Sequence, residues 1–221
     1  MKELIKIGLV DDHPMFRHAL ADLIGQANSG FKVVVEVSNG QELIAQLGEP
    51  GEPACPEIII MDINNPVMDG FKTTEWLRKQ YPSIKIIVLS LNDDEASVMR
   101  MVRLGVQGYL VKTVNAPALF SAIAAVAKNE FYFASFKSAA ELSACLTDGS
   151  HTREIWNSLD DQEKHFVRLC CTDINYRELA GKMGCNTVSV ETCRENVFLK
   201  FRIRSRVALT LLATRYELVE S

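Results

Sequence analysis

Between residues 5 and 112 the chain repeats one pattern: a short apolar run, a polar residue where the run stops, and a segment with helical spacing. The runs lie at 5–10, 32–37, 58–61, 85–89 and 109–111 and are rich in β-branched residues. The third, Ile58-Ile59-Ile60-Met61, is apolar at every position, as a strand buried on both faces requires. The intervening segments carry helix signals. Pro14 suits a first helical turn, with Phe16, Leu20, Leu23 and Ile24 at helical spacing behind it. Asn39 and Glu42 have the spacing of a capping box, Asp93 or Asp94 starts another helix, and Asn115 with Pro117 opens an alanine-rich one. Five strand–helix alternations with short connections predict a doubly wound α/β domain over residues 1–128, its parallel sheet covered by helices on both faces.

The residues that stop the runs decide the chemistry. They are Asp11-Asp12 on the first, Asp62 on the third, Ser90 on the fourth and Lys112 on the fifth. Ligands of an open parallel sheet bind just beyond the carboxyl ends of its strands. In the flavodoxin-like strand order 2-1-3-4-5 the first and third strands adjoin, so three carboxylates crowd one crevice. Unpaired, they repel, and a hard divalent cation is their natural partner. For Mg²⁺ the ligands Asp12, Asp62, the backbone carbonyl of Asn64 and a phosphate oxygen suffice, with Asp11 bound through water. Asp62 then attacks a phosphoryl group, Lys112 neutralises the phosphoryl oxygens, and Ser90 offers one of them a hydroxyl. Taken alone, Asp62 can equally close its strand by bonding the Asn64-Asn65-Pro66 turn, and a lone strand-end Ser or Lys is usually structural. Five such residues, each at the right strand end, point to phosphoryl chemistry.

Beyond residue 128 the pattern changes. Residues 129–152 read as a linker in which 137–146 form a possible helix and Asp148-Gly149-Ser150 a turn. Residues 153–221 read as an all-α unit of four short helices. Asp160 and Glu163 suit a capping box, Tyr176 to Met183 closes on Gly184, and Asn186 caps a longer helix with Val190, Cys193, Val197 and Phe201 on one face. A fourth helix runs over 205–218. Two short helices around a glycine turn fit a helix-turn-helix. The net charge is −4, but residues 151–221 carry 11 basic against 10 acidic side chains, with Lys200, Arg202, Arg204 and Arg206 close together; this permits a nucleic-acid partner without demanding one. Six cysteines without a C-x-x-C pair, no membrane-length apolar run and no signal segment predict a cytoplasmic protein with reduced thiols and no membrane partner.

The motifs D-D-H-P at 11–14, M-D-I-N-N-P-V-M-D-G at 61–70, L-S at 89–90 and G-Y-L-V-K at 108–112 resemble a response-regulator receiver domain. The C-terminal third resembles the LuxR-type output domain of the NarL/FixJ group. The resemblance implies that Asp62 is the phosphoacceptor, that Asp11 and Asp12 serve Mg²⁺, and that Ser90 and Lys112 contact the phosphoryl group. Tyr109, with Ser90, matches the switch pair whose rearrangement accompanies activation. A sensor histidine kinase, promoter DNA and a homodimer formed on phosphorylation are the implied partners, and the chain is a regulator and not a metabolic enzyme.

Departures sharpen the alternatives. Leu91 follows Ser90 where the family has a small residue, and Asn65 replaces a usual Met before Pro66. The expected DNA-contacting set is Val188, Glu191, Thr192, Arg194, Glu195, Arg202, Arg204 and Arg206, yet the family places Lys at the positions of Val188 and Glu191 and His at Cys193. Such an acidic face motivates a second reading, in which the helical domain binds a protein instead of DNA. A Mg²⁺-dependent phosphatase is a third reading; it calls for a general acid near Asp62, and Asn64 supplies none.

Overall fold

A computed structural model describes residues 4–26, 30–48, 55–91, 94–133 and 149–219. The strands are β1 (Ile5–Val10), β2 (Phe31–Val37), β3 (Ile58–Asp62), β4 (Lys85–Ser90), β5 (Gly108–Val111) and β6 (Tyr132–Phe133). They form one parallel sheet in the order β2-β1-β3-β4-β5-β6. Central β3 is buried at all five positions, which is why its sequence is continuously apolar instead of alternating. The helices α1 (Pro14–Gln26), α2 (Gly40–Gly48), α3 (Gly70–Gln80), α4 (Glu95–Arg103) and α5 (Ala116–Ala127) supply the crossovers. Leu20 and Ile24 of α1 and Leu119, Ile123 and Val126 of α5 pack on Ile7, Leu9, Ile58, Ile60 and Ile87 of the sheet. The helix starts follow the expected caps. Asn39 Oδ1 accepts from the Glu42 amide at 3.0 Å, Asp94 caps α4 and Asn115 caps α5.

Two departures concern element count. Phe131-Tyr132-Phe133, expected in a linker, contributes a sixth strand paired to β5. Gly149 and Ser150, expected in a turn, instead begin helix α6 (Gly149–Ser158), Asp148 lying outside the described residues. A Cβ on Gly149 would lie 2.7 Å from the Tyr216 ring, so this glycine serves close packing. The possible helix at 137–146 lies outside the described residues.

Four further helices follow: α7 (Asp161–Cys170), α8 (Tyr176–Met183), α9 (Thr187–Phe201) and α10 (Arg206–Arg215). Capping boxes at Asp160/Glu163 and Asn175/Glu178 start α7 and α8. Gly184, at φ +65°, ends α8 in the left-handed conformation that only glycine adopts without strain. Val190, Cys193, Val197 and Phe201 form the buried stripe of α9. By their contacts the residues divide into two compact units, 1–93 with 106–135, and 94–105 with 136–221. The second therefore includes α4, where Arg103 donates to the Cys171 carbonyl (2.8 Å) and pairs with Asp173. Among the described residues no helix is long and apolar enough to cross a membrane.

Candidate functional site

The carboxyl ends of β1, β3, β4 and β5 bring the expected residues together. Asp11 directly follows β1 and is 5% exposed; Asp62 ends β3 at 2% and Ser90 ends β4 at 2%. Lys112 follows β5, and its amide donates to the Ser90 carbonyl at 2.8 Å. Its ammonium lies 2.7 Å from Asp11 Oδ2 and 2.7 Å from Asp62 Oδ2, so one cation ties two strand ends. Burial opposes the charge on Lys112, but hydrogen bonds to Asp11 and Asp62 and the negative charge of both outweigh it. The net effect is a pKa above the ordinary lysine value. The aromatic face of Phe16 closes the far side, its centroid 4.9 Å from the same nitrogen.

The remaining oxygens are arranged for a cation. Ligand atoms of Asp11, Asp12, His13 and Asp62 all lie within 4.8 Å of one another. Asp62 Oδ1 accepts the Asn64 amide at 3.1 Å, which turns the chain immediately after β3 and sets Asn64 beside the carboxylate. One buried oxygen, Asp12 Oδ1, has no hydrogen-bond donor, although the His13 ring nitrogen stands 2.9 Å away. An orphaned buried carboxylate oxygen among other carboxylates fits a hard divalent cation, whose preferred ligands are oxygens. Tyr109 is fully buried on β5, and Leu91, which follows Ser90, is 61% exposed.

Arg17 was not singled out from sequence, and Asn65 was named there only as a departure from the family's usual Met. Arg17 of α1 is buried and donates through its guanidinium to the Asp11 carbonyl. Its signal was available, because Arg17 continues the buried spacing of Leu20 and Ile24 on α1. Asn65 is buried too: its amide donates to the Ser38 carbonyl at 2.5 Å and its oxygen accepts the Val67 amide at 3.2 Å, tying the loop after β3 to the one after β2.

The expected DNA-contacting residues separate into four groups. Val188 (71% exposed), Glu191, Thr192 and Glu195 line one outward stripe of α9, with Leu199 (78% exposed) at its end. Arg194 is turned along the helix, 3.3 Å from Glu191 and 5.7 Å over the Tyr176 ring. Arg202 and Arg204 are exposed in the turn after α9. Arg206 departs from expectation. It is 6% exposed, with its guanidinium donating to the carbonyls of Cys170 (2.7 Å) and Thr172 (2.9 Å), so it holds the end of α7 and does not face outward. The cysteines are free among the described residues, Cys145 lying outside them. Burial pushes the thiols of Cys170 to about 12 and of Cys171 and Cys193 to about 11, which leaves them as inert packing groups.

Residues 7–124 match the family described as response regulator receiver domain. Over 212 residues the chain is 26% identical to the nitrate/nitrite response regulator protein homolog of Haemophilus influenzae, covering 96% of this chain and 97% of that one. It is 28% identical to the nitrate/nitrite response regulator protein NarL of Escherichia coli K12 over 206 residues, 93% of each. Among solved structures, a complex of the response regulator RcsB with DNA has a TM-score of 0.54 at 21% identity, covering 95% of this chain and 97% of that one. A LuxR-family response regulator from Aurantimonas sp. SI85-9A1 has a TM-score of 0.55 at 25% identity, covering 62% and 94%. With the sheet order, the strand-end carboxylates and the helix-turn-helix unit all in place, the chain belongs to the response regulators of the NarL/FixJ group.

Proposed function

We propose that this protein is a phosphorylation-switched transcription regulator in which a sensor histidine kinase modifies Asp62 and the helix-turn-helix unit engages promoter DNA. The observation that carries the reading is the bridging of Asp11 and Asp62 by Lys112, at 2.7 Å to each, beside the unsatisfied Asp12 oxygen. In the transfer, an Asp62 oxygen forms the new O–P bond as the bond from phosphorus to the donor's nitrogen or oxygen breaks, and the leaving group keeps the electron pair. Lys112 follows the growing charge from the carboxylates to the phosphoryl oxygens. Ser90 donates its hydroxyl to one of them. Asp12, Asp62 and the Asn64 carbonyl would hold Mg²⁺, with Asp11 through water; the ion supplies charge neutralisation at the phosphoryl group. Rearrangement around Ser90 and Tyr109 then favours a homodimer. The reading places the protein in the cytoplasm, with a regulatory and not a metabolic role, and assigns residues 1–128 to the receiver, 129–152 to the linker and 153–221 to the output domain.

One observation favours a second partner class for the output unit. The outward stripe of α9 pairs two aliphatic side chains, Val188 and Leu199, with two carboxylates, Glu191 and Glu195, and its nearest cation, Arg194, is engaged with Glu191. That surface suits a basic, partly apolar protein segment better than phosphates. Duplex binding by the phosphorylated protein and its Glu191→Lys variant separates the readings. If α9 enters the major groove, the variant binds arbitrary duplex more tightly and the slope of log K against log salt steepens by about 0.9. If Glu191 also accepts from a cytosine amino group, affinity for the specific site falls at the same time. Unchanged binding at every salt concentration would remove α9 from the DNA interface and leave the protein partner.

A further inference from the structure

The sixth strand lies along the start of β5, the strand that runs into Lys112. After α5 the chain reverses at Asn129 (φ 65°), and the Glu130 amide donates back to the Ala125 carbonyl at 3.0 Å. The next residues return along the outer edge of β5. Tyr132 pairs with Gly108 and Phe133 with Tyr109, and the Tyr132 amide donates to the Gln107 carbonyl at 2.9 Å. Phe133 is 1% exposed and Tyr109 fully buried. Phe131 adds a ring stacked on Phe133, with centroids 6.3 Å apart. Gly108 makes room for this pairing, since a Cβ there would lie 3.1 Å from Ile87 and 3.4 Å from the Tyr132 carbonyl oxygen.

β5 itself is four residues long and runs directly into Lys112. A displacement of Lys112 toward a phosphoryl group is therefore felt at Tyr109, three residues back, and at the strand paired with it. A two-residue edge strand has few backbone bonds to lose and belongs to the low-stability end of a fold, where switching elements are found. We propose that β6 is a releasable strap: it holds the start of the linker against β5 while Asp62 is unmodified, and phosphorylation loosens it. The inference rests on the phosphoacceptor role proposed above and names the element through which that event reaches the linker.

Amide exchange of Tyr132 in the full chain tests it, measured by NMR with Mg²⁺ alone and with Mg²⁺ plus beryllium fluoride as the phosphoryl mimic. Bound mimic is scored separately by its ¹⁹F signal. The expected result is exchange faster by roughly tenfold, equivalent to about 1.4 kcal/mol of lost protection, with the Val88 amide of β4 unaffected. Phe133→Ala should show the fast exchange without the mimic while still binding it, and Phe133→Leu should restore slow exchange. Unchanged Tyr132 exchange with the mimic bound, or continued protection in Phe133→Ala, would overturn the strap. If no mimic binds at all, the phosphoacceptor reading fails and the strap with it.

Discussion

Lys112 concentrates the electrostatics of the site in one side chain. It is 7% exposed, as is the Asp11 carboxylate, and it faces two carboxylates that would otherwise repel each other. Because its folded pKa is raised, the stability it contributes is fully present below the unfolded lysine value of about 10.4 and is lost as pH rises through the higher folded value. Without divalent cations, Lys112→Gln should therefore be less stable than wild type by about 2–4 kcal/mol at neutral pH. The gap in urea midpoints should stay constant up to about pH 10 and narrow above it. A gap that widened with alkali would contradict the assignment. At this scale the strand-end carboxylates were legible in the sequence because each sits where an apolar run stops. Arg17 was harder to see, since a cation on the buried face of a helix breaks the apolar period that reveals the helix.

Two elements of the C-terminal part were legible through their caps, Asp160 and Asn186, while the caps Asn175 and Ser205 emerge from the structure. Charge was less legible. Arg202, Arg204 and Arg206 cluster in sequence, but a helix cap intervenes, and Arg206, the first residue of α10, turns inward to the end of α7. Sequence proximity cannot show that reversal. Arg206→Met should leave the carbonyls of Cys170 and Thr172 without their donor and cost about 2–4 kcal/mol, read as a lower urea midpoint. A DNA contact would behave differently, leaving stability unchanged and making the salt slope of duplex binding shallower by about 0.9. The strand β6 escaped for another reason: two residues are too few to display a period of two. Gly149 looked like a turn because glycine marks both turns and close approaches, and only the Tyr216 ring against it distinguishes them.

Across the whole molecule, a doubly wound sheet carries the charged cluster and a helix-turn-helix unit carries a helix whose outer stripe is acidic and apolar. Five strand–helix alternations in the sequence predict a doubly wound parallel sheet, and in the flavodoxin-like order, which β1 to β5 adopt, Asp11, Asp12 and Asp62 meet at one end of it. The membership of α4 in the second unit was not predictable, since it depends on packing between segments far apart in the chain. In the function proposed above, a chemical event at the first unit changes what the second does, and that event is transfer of a phosphoryl group to Asp62. Incubation with acetyl phosphate and Mg²⁺ followed by peptide mass spectrometry measures it directly. The account predicts one phosphoryl group per chain on the peptide containing Asp62, absent from Asp62→Asn and from Asp12→Ala at ordinary Mg²⁺; labelling of Asp62→Asn equal to that of wild type would contradict it.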